Sequence, residues 1–308
     1  MQKRVGIIGT GWVGTSVAIS TLHLGAADEL WLYDMRGAVA EGEAMDLTHG
    51  ASFYPACKVR TASIQEMRKA QVVVVAAGRG GRPEETRLDL LRDNARVIAG
   101  IGRELAGFPG TVVLVTNPVD VLTQVMAEAS GLPLERVLGT GTMLDTARLR
   151  QMLGHKLHLA TNSIHGQVVG EHGDSEVVLW SGVNVGGVPL RSWPGWTHRN
   201  ETQLAHEVKR AAYEVIQRKG STNHAIGLVT ASLLRSMLRG EHRILTVSRV
   251  QEGALGLRDV ALSLPTVVGS DGGIRVLEPA MDNTERKALA HSADVLRKAL
   301  DSIKPAAA

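Results

Sequence analysis

RVGIIGTGWVG, residues 4–14, sets Gly9, Gly11 and Gly14 in G-x-G-x-x-G spacing directly behind an apolar run. The first glycine permits a tight turn, the second lets a pyrophosphate approach the backbone, and the third allows close helix–strand packing. WVGTSVAISTLHLG (12–25) then has helical spacing, and ELWLYD (29–34) reads as a second strand ending at Asp34. Amides at the helix start face phosphates. A carboxylate at the end of the second strand accepts hydrogen bonds from both ribose hydroxyls and repels a 2′-phosphate. The unit therefore predicts a dinucleotide site with NAD favoured over NADP, and Arg36 leaves NADP as the lesser alternative.

The same grammar repeats through the first half. CKVRT (57–61), QVVVVAAG (71–78), TVVLVTN (111–117) and RVLGTG (136–141) read as further strands. They alternate with helical patterns at 37–50, 88–107 and 119–131. The runs are apolar throughout, as in parallel strands buried on both faces. The predicted fold class is α/β, a doubly wound parallel (Rossmann) sheet over residues 1–141. After about residue 150 strand- and turn-rich stretches predominate, with long helical patterns at 199–219, 222–239 and 283–303. DGG at 271–273 signals a hairpin. Residues 142–308 are predicted to form an α+β substrate domain.

Composition narrows the function. Lys plus Arg is 34 against 31 for Asp plus Glu, and aromatics are 3%. Such a chain has neither the basic block nor the stacking platform of a nucleic-acid binder. Cys57 is the only cysteine, so an intrachain disulfide is impossible, an all-cysteine metal site is excluded, and a reducing cytoplasm fits. No apolar run approaches a bilayer span, and the start runs straight into a strand without a signal-peptide pattern. No metal and no membrane partner are expected.

Two segments carry chemistry. In GTMLDTARLR (141–150) Asp145 and Arg148 are three apart and share a helix face, while Arg150 lies roughly 200° around from Arg148. In GEHGDS (170–175) His172 sits between glycines and carboxylates, where a chain can turn and present an imidazole. Histidine, carboxylate and arginine together suit reversible carbonyl reduction. The imidazolium gives a proton to the oxygen as hydride reaches the carbon, the carboxylate fixes the tautomer, and the guanidinium holds a substrate carboxylate through paired bonds. A histidine in a glycine turn can equally be structural, and spacing does not place Asp145 against it. Asn117, after the fifth strand in VTNPVD, either orients a nicotinamide or substrate oxygen or caps the helix starting near Val119.

GTGWVG, Asp34, EGEAMDLTHG, PEETRLDLLRDN, VTNPVD, GTMLDTARLR, GEHGDS and KGSTNHAIG occur in order along nearly the whole chain. Together they resemble the L-lactate/L-malate dehydrogenase family, most nearly its bacterial lactate members. The resemblance implies an NAD-dependent 2-hydroxy acid dehydrogenase. It implies His172 as proton donor and acceptor oriented by Asp145, Arg148 as carboxylate clamp, and Asn117 and Thr222 as pocket residues. The implied cofactor residues are Gly9, Gly11, Val13, Gly14, Asp34, Gly78, Val115 and Asn117. Arg87 would sit on a loop that closes over a 2-oxo acid and polarises its carbonyl. Arg150 and His165 match positions where many bacterial lactate dehydrogenases bind fructose 1,6-bisphosphate across a subunit interface, which presumes a homotetramer, with a dimer as the alternative. The plain alternative for that pair is an interface arginine and a core histidine.

One position departs from the family. Counting back from Arg87, Gly81 takes the loop position where relatives usually carry glutamine for lactate or arginine for malate. Three substrates remain open on this reading: pyruvate with less discrimination, bulkier branched-chain 2-oxo acids, or oxaloacetate read by Arg82. Glu84 and Glu85 can tie down Arg82 or Arg79 as salt bridges on the same loop, but exposed pairs are worth only about 0–1 kcal/mol, and solvated acids are the expectation. NAD-dependent glycosidases share the glycine turn, but they need a metal held partly by cysteine. A non-enzymatic NAD-binding module would be expected to lack Arg87, Arg148 or His172.

Overall fold

The protein is described by a computed structural model covering residues 2–80 and 85–303, with the backbone but not the side chain of Arg87. Its first six strands are β1 (Arg4–Ile8), β2 (Glu29–Tyr33), β3 (Lys58–Thr61), β4 (Val72–Val75), β5 (Thr111–Leu114) and β6 (Val137–Gly139). They pair in parallel in the order β3-β2-β1-β4-β5-β6. The crossovers are α1 (Trp12–His23), α2 (Gly37–His49), the short α3 (Ile64–Met67), α4 (Arg87–Glu104) and α5 (Val119–Ser130). The all-valine β4 and the apolar β5 are buried along their length, because helices cover both sheet faces. α3 has no counterpart in the apolar pattern; a Ser63–Glu66 capping box sets it.

Beyond β6 the chain enters α6 (Met143–Leu157). It then makes short strands β7 (Ile164–His165), β8 (Val168–Val169), β9 (Val177–Val178), β10 (Asn184–Val185) and β11 (Val188–Pro189). Helices α7 (His198–Lys219) and α8 (His224–Arg239) lead to β12 (Arg243–Glu252), β13 (Arg258–Gly269) and β14 (Gly272–Val276), and α9 (Asn283–Asp301) follows. The hairpin foreseen at 271–273 joins β13 to β14, with Gly269 opposite Gly272.

The sequence reading treats the second half as its own α+β unit. The structure adds that β12, β13 and β14 extend the first sheet, giving the order β14-β13-β12-β6-β5-β4-β1-β2-β3. The junction is antiparallel, Ser248 opposite Gly139. One consequence is that α6 and the glycine turn bearing His172 lie against the carboxyl ends of the parallel strands, where open α/β sheets bind ligands. Among the described residues no helix is long and apolar enough to cross a membrane.

Candidate active site

At the glycine turn the three residues differ sharply in their surroundings. Gly9 has φ +95°, and a Cβ there would meet the Ala77 nitrogen at 2.6 Å. At Gly14 a Cβ would fall 1.8 Å from the Gly9 carbonyl oxygen, so only glycine lets α1 dock on β1. At Gly11 a Cβ would meet nothing within 4 Å. The turn is thus closed on its protein side and open where α1 begins. Gly11 caps α1 without a side-chain hydrogen bond and the first turn carries no acid, leaving the positive end of the helix for an anion.

Asp34 ends β2 beside this opening. Its Oδ2 accepts from the Thr10 amide at 3.0 Å and its Oδ1 from the Arg36 amide at 3.0 Å. Burial works against ionisation, but these amides and the Arg36 guanidinium outweigh it, and the carboxyl sits below its ordinary range. Arg36, the cation that left NADP open, lies 3.5 Å from Asp34 Oδ1 and is engaged by that carboxylate. A cavity of about 670 Å³ runs from Gly9, Gly11 and Asp34 to Gly78 and Arg79. A second, of about 300 Å³, shares Gly78, Arg79 and Asn94 with it and continues past Val13, Val115 and Asn117 to His172 and Thr222. The two make one groove along the strand ends. An open glycine cradle, an ionised carboxylate and a groove ending at an imidazole fit an extended dinucleotide.

At the far end His172 Nδ1 lies 2.5 Å from Asp145 Oδ2, and Arg148 donates to Asp145 Oδ1 at 2.8 Å. Asp145 is buried between the two cations. Burial opposes its charge, yet the charges and hydrogen bonds of His172 and Arg148 overcome that and hold it ionised, below its usual pKa. For His172 burial also disfavours the charged form. Asp145, by charge and hydrogen bond, and then Asp120, by charge, reverse this and carry the imidazole up to about 9. The ring is therefore a proton donor at neutral pH, with Nε2 directed away from the aspartate. Arg148 does not line the cavity, and Asp145 accepts one of the five N–H groups a guanidinium offers.

Two acids with no assigned part in the sequence reading also belong here. Asp120, buried at the start of α5, accepts the His172 backbone amide at 2.7 Å and so pins the turn that presents the ring. Burial raises its pKa to about 6. Glu176, four residues beyond His172, is pushed up to about 8 by burial and then by the charge of Asp145. Its Oε1 is buried without a hydrogen-bond partner. Asp120 was within sight as the residue following NPV; Glu176 carried no signal, because only packing shows what it faces.

The remaining expected positions fall as follows. Asn117 and Thr222 line the inner cavity. Pro118, not Asn117, is the N-cap of α5 and no side-chain cap bond forms there, so the capping alternative for Asn117 is set aside. Gly81 and Arg82 lie outside the described residues, as does the side chain of Arg87. Glu84 also lies outside the described residues, while Glu85 takes the salt-bridge alternative over the expectation of a solvated acid: it forms a two-pronged ion pair with Arg79, whose Nε also donates to Asp93 at 3.1 Å. The reason is geometric, since residues 79 and 85 come together where the loop leaves and rejoins the body. Arg150 faces away from Arg148, donating through Nε to the Gly166 carbonyl at 3.1 Å. His165 is exposed on the adjoining β7.

Comparison with known proteins agrees with this geometry. A model of the lactate/malate dehydrogenase NAD binding domain matches residues 3–139, and the alpha/beta C-terminal domain of the same family matches 142–306. The L-lactate dehydrogenase of Kosmotoga olearia is 41% identical over 310 residues, spanning 97% of this chain and 96% of its own. That of Thermus aquaticus is 42% identical over 307 residues, spanning 97% and 99%. Among solved structures, the ligands-bound form of the minor L-lactate dehydrogenase of Enterococcus mundtii superposes with a TM-score of 0.96 at 37% identity, covering 98% of this chain and 99% of that one. The ligands-unbound form gives 0.90.

Proposed function

Since the chain belongs to the lactate/malate dehydrogenase family and carries its NAD binding domain, we propose that it is an NAD-dependent L-lactate dehydrogenase, reducing pyruvate to lactate. The observation that carries this reading is His172 at the inner end of the dinucleotide groove, paired with Asp145, which Arg148 braces from behind. Bound NADH supplies the hydride. His172, kept protonated by Asp145, gives its Nε2 proton to the carbonyl oxygen. Arg148 holds the substrate carboxylate, spending donors that Asp145 leaves over. Asn117 and Thr222 bound the pocket, and Arg87, brought in by the loop it ends, stabilises charge on the oxygen. Gly9, Gly11, Val13, Gly14, Gly78 and Val115 shape the cofactor groove, and Asp34 holds its ribose.

The cofactor half ends at residue 141 and the substrate half begins at 142. The enzyme is cytoplasmic and a homotetramer. Fructose 1,6-bisphosphate acts as an effector through Arg150 and His165; the Arg150–Gly166 bond ties the two positions together and supports this pairing. The test is a comparison of kcat/KM with NADH for pyruvate, oxaloacetate and 2-oxoisocaproate, each with and without the bisphosphate. A lead for pyruvate, sharpened by the bisphosphate, is expected. A lead for oxaloacetate would transfer the assignment to malate, with Arg82 reading the second carboxylate that Gly81, having no side chain, cannot.

A further inference from the structure

KGSTNHAIG, residues 219–227, supplies Thr222 and Ile226 to the wall of the inner cavity, while Asn223 between them does not line it. Asn223 is the N-cap of α8, a position where asparagine ordinarily accepts a hydrogen bond from the first helical turn. Here it makes no side-chain cap bond. Its side chain spans two other helices instead. Lys219, at the end of α7, donates from Nζ to Asn223 Oδ1 at 2.6 Å, and Asn223 Nδ2 donates to Ser16 Oγ of α1 at 3.0 Å. An ammonium offers donors only, so it takes the amide oxygen and leaves the amide nitrogen for Ser16.

The bridge is possible because α8 comes close to α1. Gly227 lies one turn after Asn223, on the same helix face. A Cβ on Gly227 would fall 2.5 Å from the Ser16 carbonyl oxygen. Ser16 is buried, so the glycine contact and the amide bridge fasten α8 to one fixed point of α1. Only residues 220–223 connect α7 to α8, and Ser221 Oγ is buried without a hydrogen-bond partner. Asn223 is therefore the side chain that anchors this connection beside Thr222. Val13 of α1 lines the same cavity, and Gly11, the N-cap of that helix, belongs to the open glycine cradle.

We propose that Asn223 is a positioning residue: by bridging Lys219 to Ser16 it fixes Thr222 and Ile226 against α1, the helix that opens the dinucleotide cradle. Substrate pocket and cofactor groove then share one reference, and the 2-oxo acid meets a wall already in place. This rests on the dehydrogenase reading of the site. A wall that binds substrate and transition state alike acts on KM and leaves kcat nearly unchanged.

The intact enzyme is assayed with NADH and its preferred 2-oxo acid in wild type, Asn223→Ala, Asn223→Ser, Ser16→Ala and the double variant Asn223→Ala/Ser16→Ala. Loss of one hydrogen bond predicts a KM raised about two- to tenfold in each single variant. The kcat, and the affinity for NADH followed by fluorescence titration, should stay near wild type. Serine caps helices as well as asparagine does but is too short to reach Ser16, so Asn223→Ser should match Asn223→Ala. The double variant should be no worse than Asn223→Ala, because the two substitutions remove the same bond. If Asn223→Ala fails to fold, Asn223→Ser and Ser16→Ala carry the test. Wild-type KM in Asn223→Ser or in Ser16→Ala overturns the proposal, as do fully additive KM effects in the double variant. A lowered thermal midpoint without any rise in KM also overturns it, leaving the bridge a structural brace. A wild type that turns over none of pyruvate, oxaloacetate and 2-oxoisocaproate removes the dehydrogenase reading and this proposal together, whereas turnover with an unmoved KM removes this proposal alone.

Discussion

His172 combines two opposing influences, since burial alone would make it a poor acid and Asp145 makes it a strong holder of its proton. Reduction needs the protonated ring, so kcat/KM for the 2-oxo acid should stay level up to about pH 9 and fall tenfold per unit above it. Oxidation of the 2-hydroxy acid needs the neutral ring and should rise through the same interval. Asp145→Asn leaves burial opposed only by Asp120, with Arg148 still repelling the proton, so the descending limb should move to lower pH. A limb that stays near 9 in that variant would show that Asp145 does not control the ring. His172→Asn should cost about 10²–10⁴-fold in kcat, and near-normal turnover would sink the assigned mechanism. At this scale the residue types were legible in the sequence, because GEHGDS and GTMLDTARLR name a histidine, a carboxylate and an arginine. Their contact was not, because Asp145 and His172 are 27 positions apart and only the turn pinned by Asp120 brings them together.

Individual elements behaved according to their local rules. The glycine turn predicts a sharp contrast between two neighbours. Gly14→Ala forces a Cβ against the Gly9 carbonyl and should cost stability by about 1–3 kcal/mol or more, measured as a fall in thermal midpoint. Gly11→Ala enters open space, so its stability should change by within about 0.5 kcal/mol. It should nevertheless weaken NADH binding, followed by fluorescence titration, because the methyl stands where a pyrophosphate must approach. Equal stability losses in both variants would contradict the geometry. Helix α6 shows how far periodicity reaches: a rotation of roughly 200° between Arg148 and Arg150 correctly separates a residue bonded to Asp145 from one bonded to the Gly166 carbonyl. Of the Arg79–Glu85–Asp93 clasp the sequence offered the Arg79–Glu85 pair only as the lesser alternative, and the share of Asp93 was hidden, because contacts between separate segments are not written in their composition.

For the whole molecule the expected assembly is four chains of 32.9 kDa each, measurable by light scattering over a dilution series. α1 packs on α8, yet both still present apolar side chains to solvent: Ile19 is 51% and Leu228 62% exposed. Leu228→Asp should therefore lower the observed mass, and an unchanged mass would remove that face from the assembly. Apolar runs, glycine spacing and an acid at the end of the second strand were sufficient for the α/β class, the order of the first elements and the dinucleotide site. These are consequences of local sterics and of burial on both sheet faces, which act over a few residues at a time. Tertiary structure decided the rest. It joined β12 to β6, so that one sheet runs through both halves, and it set Asp145 between two cations and raised the histidine's pKa. Each of these depends on charges and backbones distant in sequence, whose energies exist only once folding has removed the water between them.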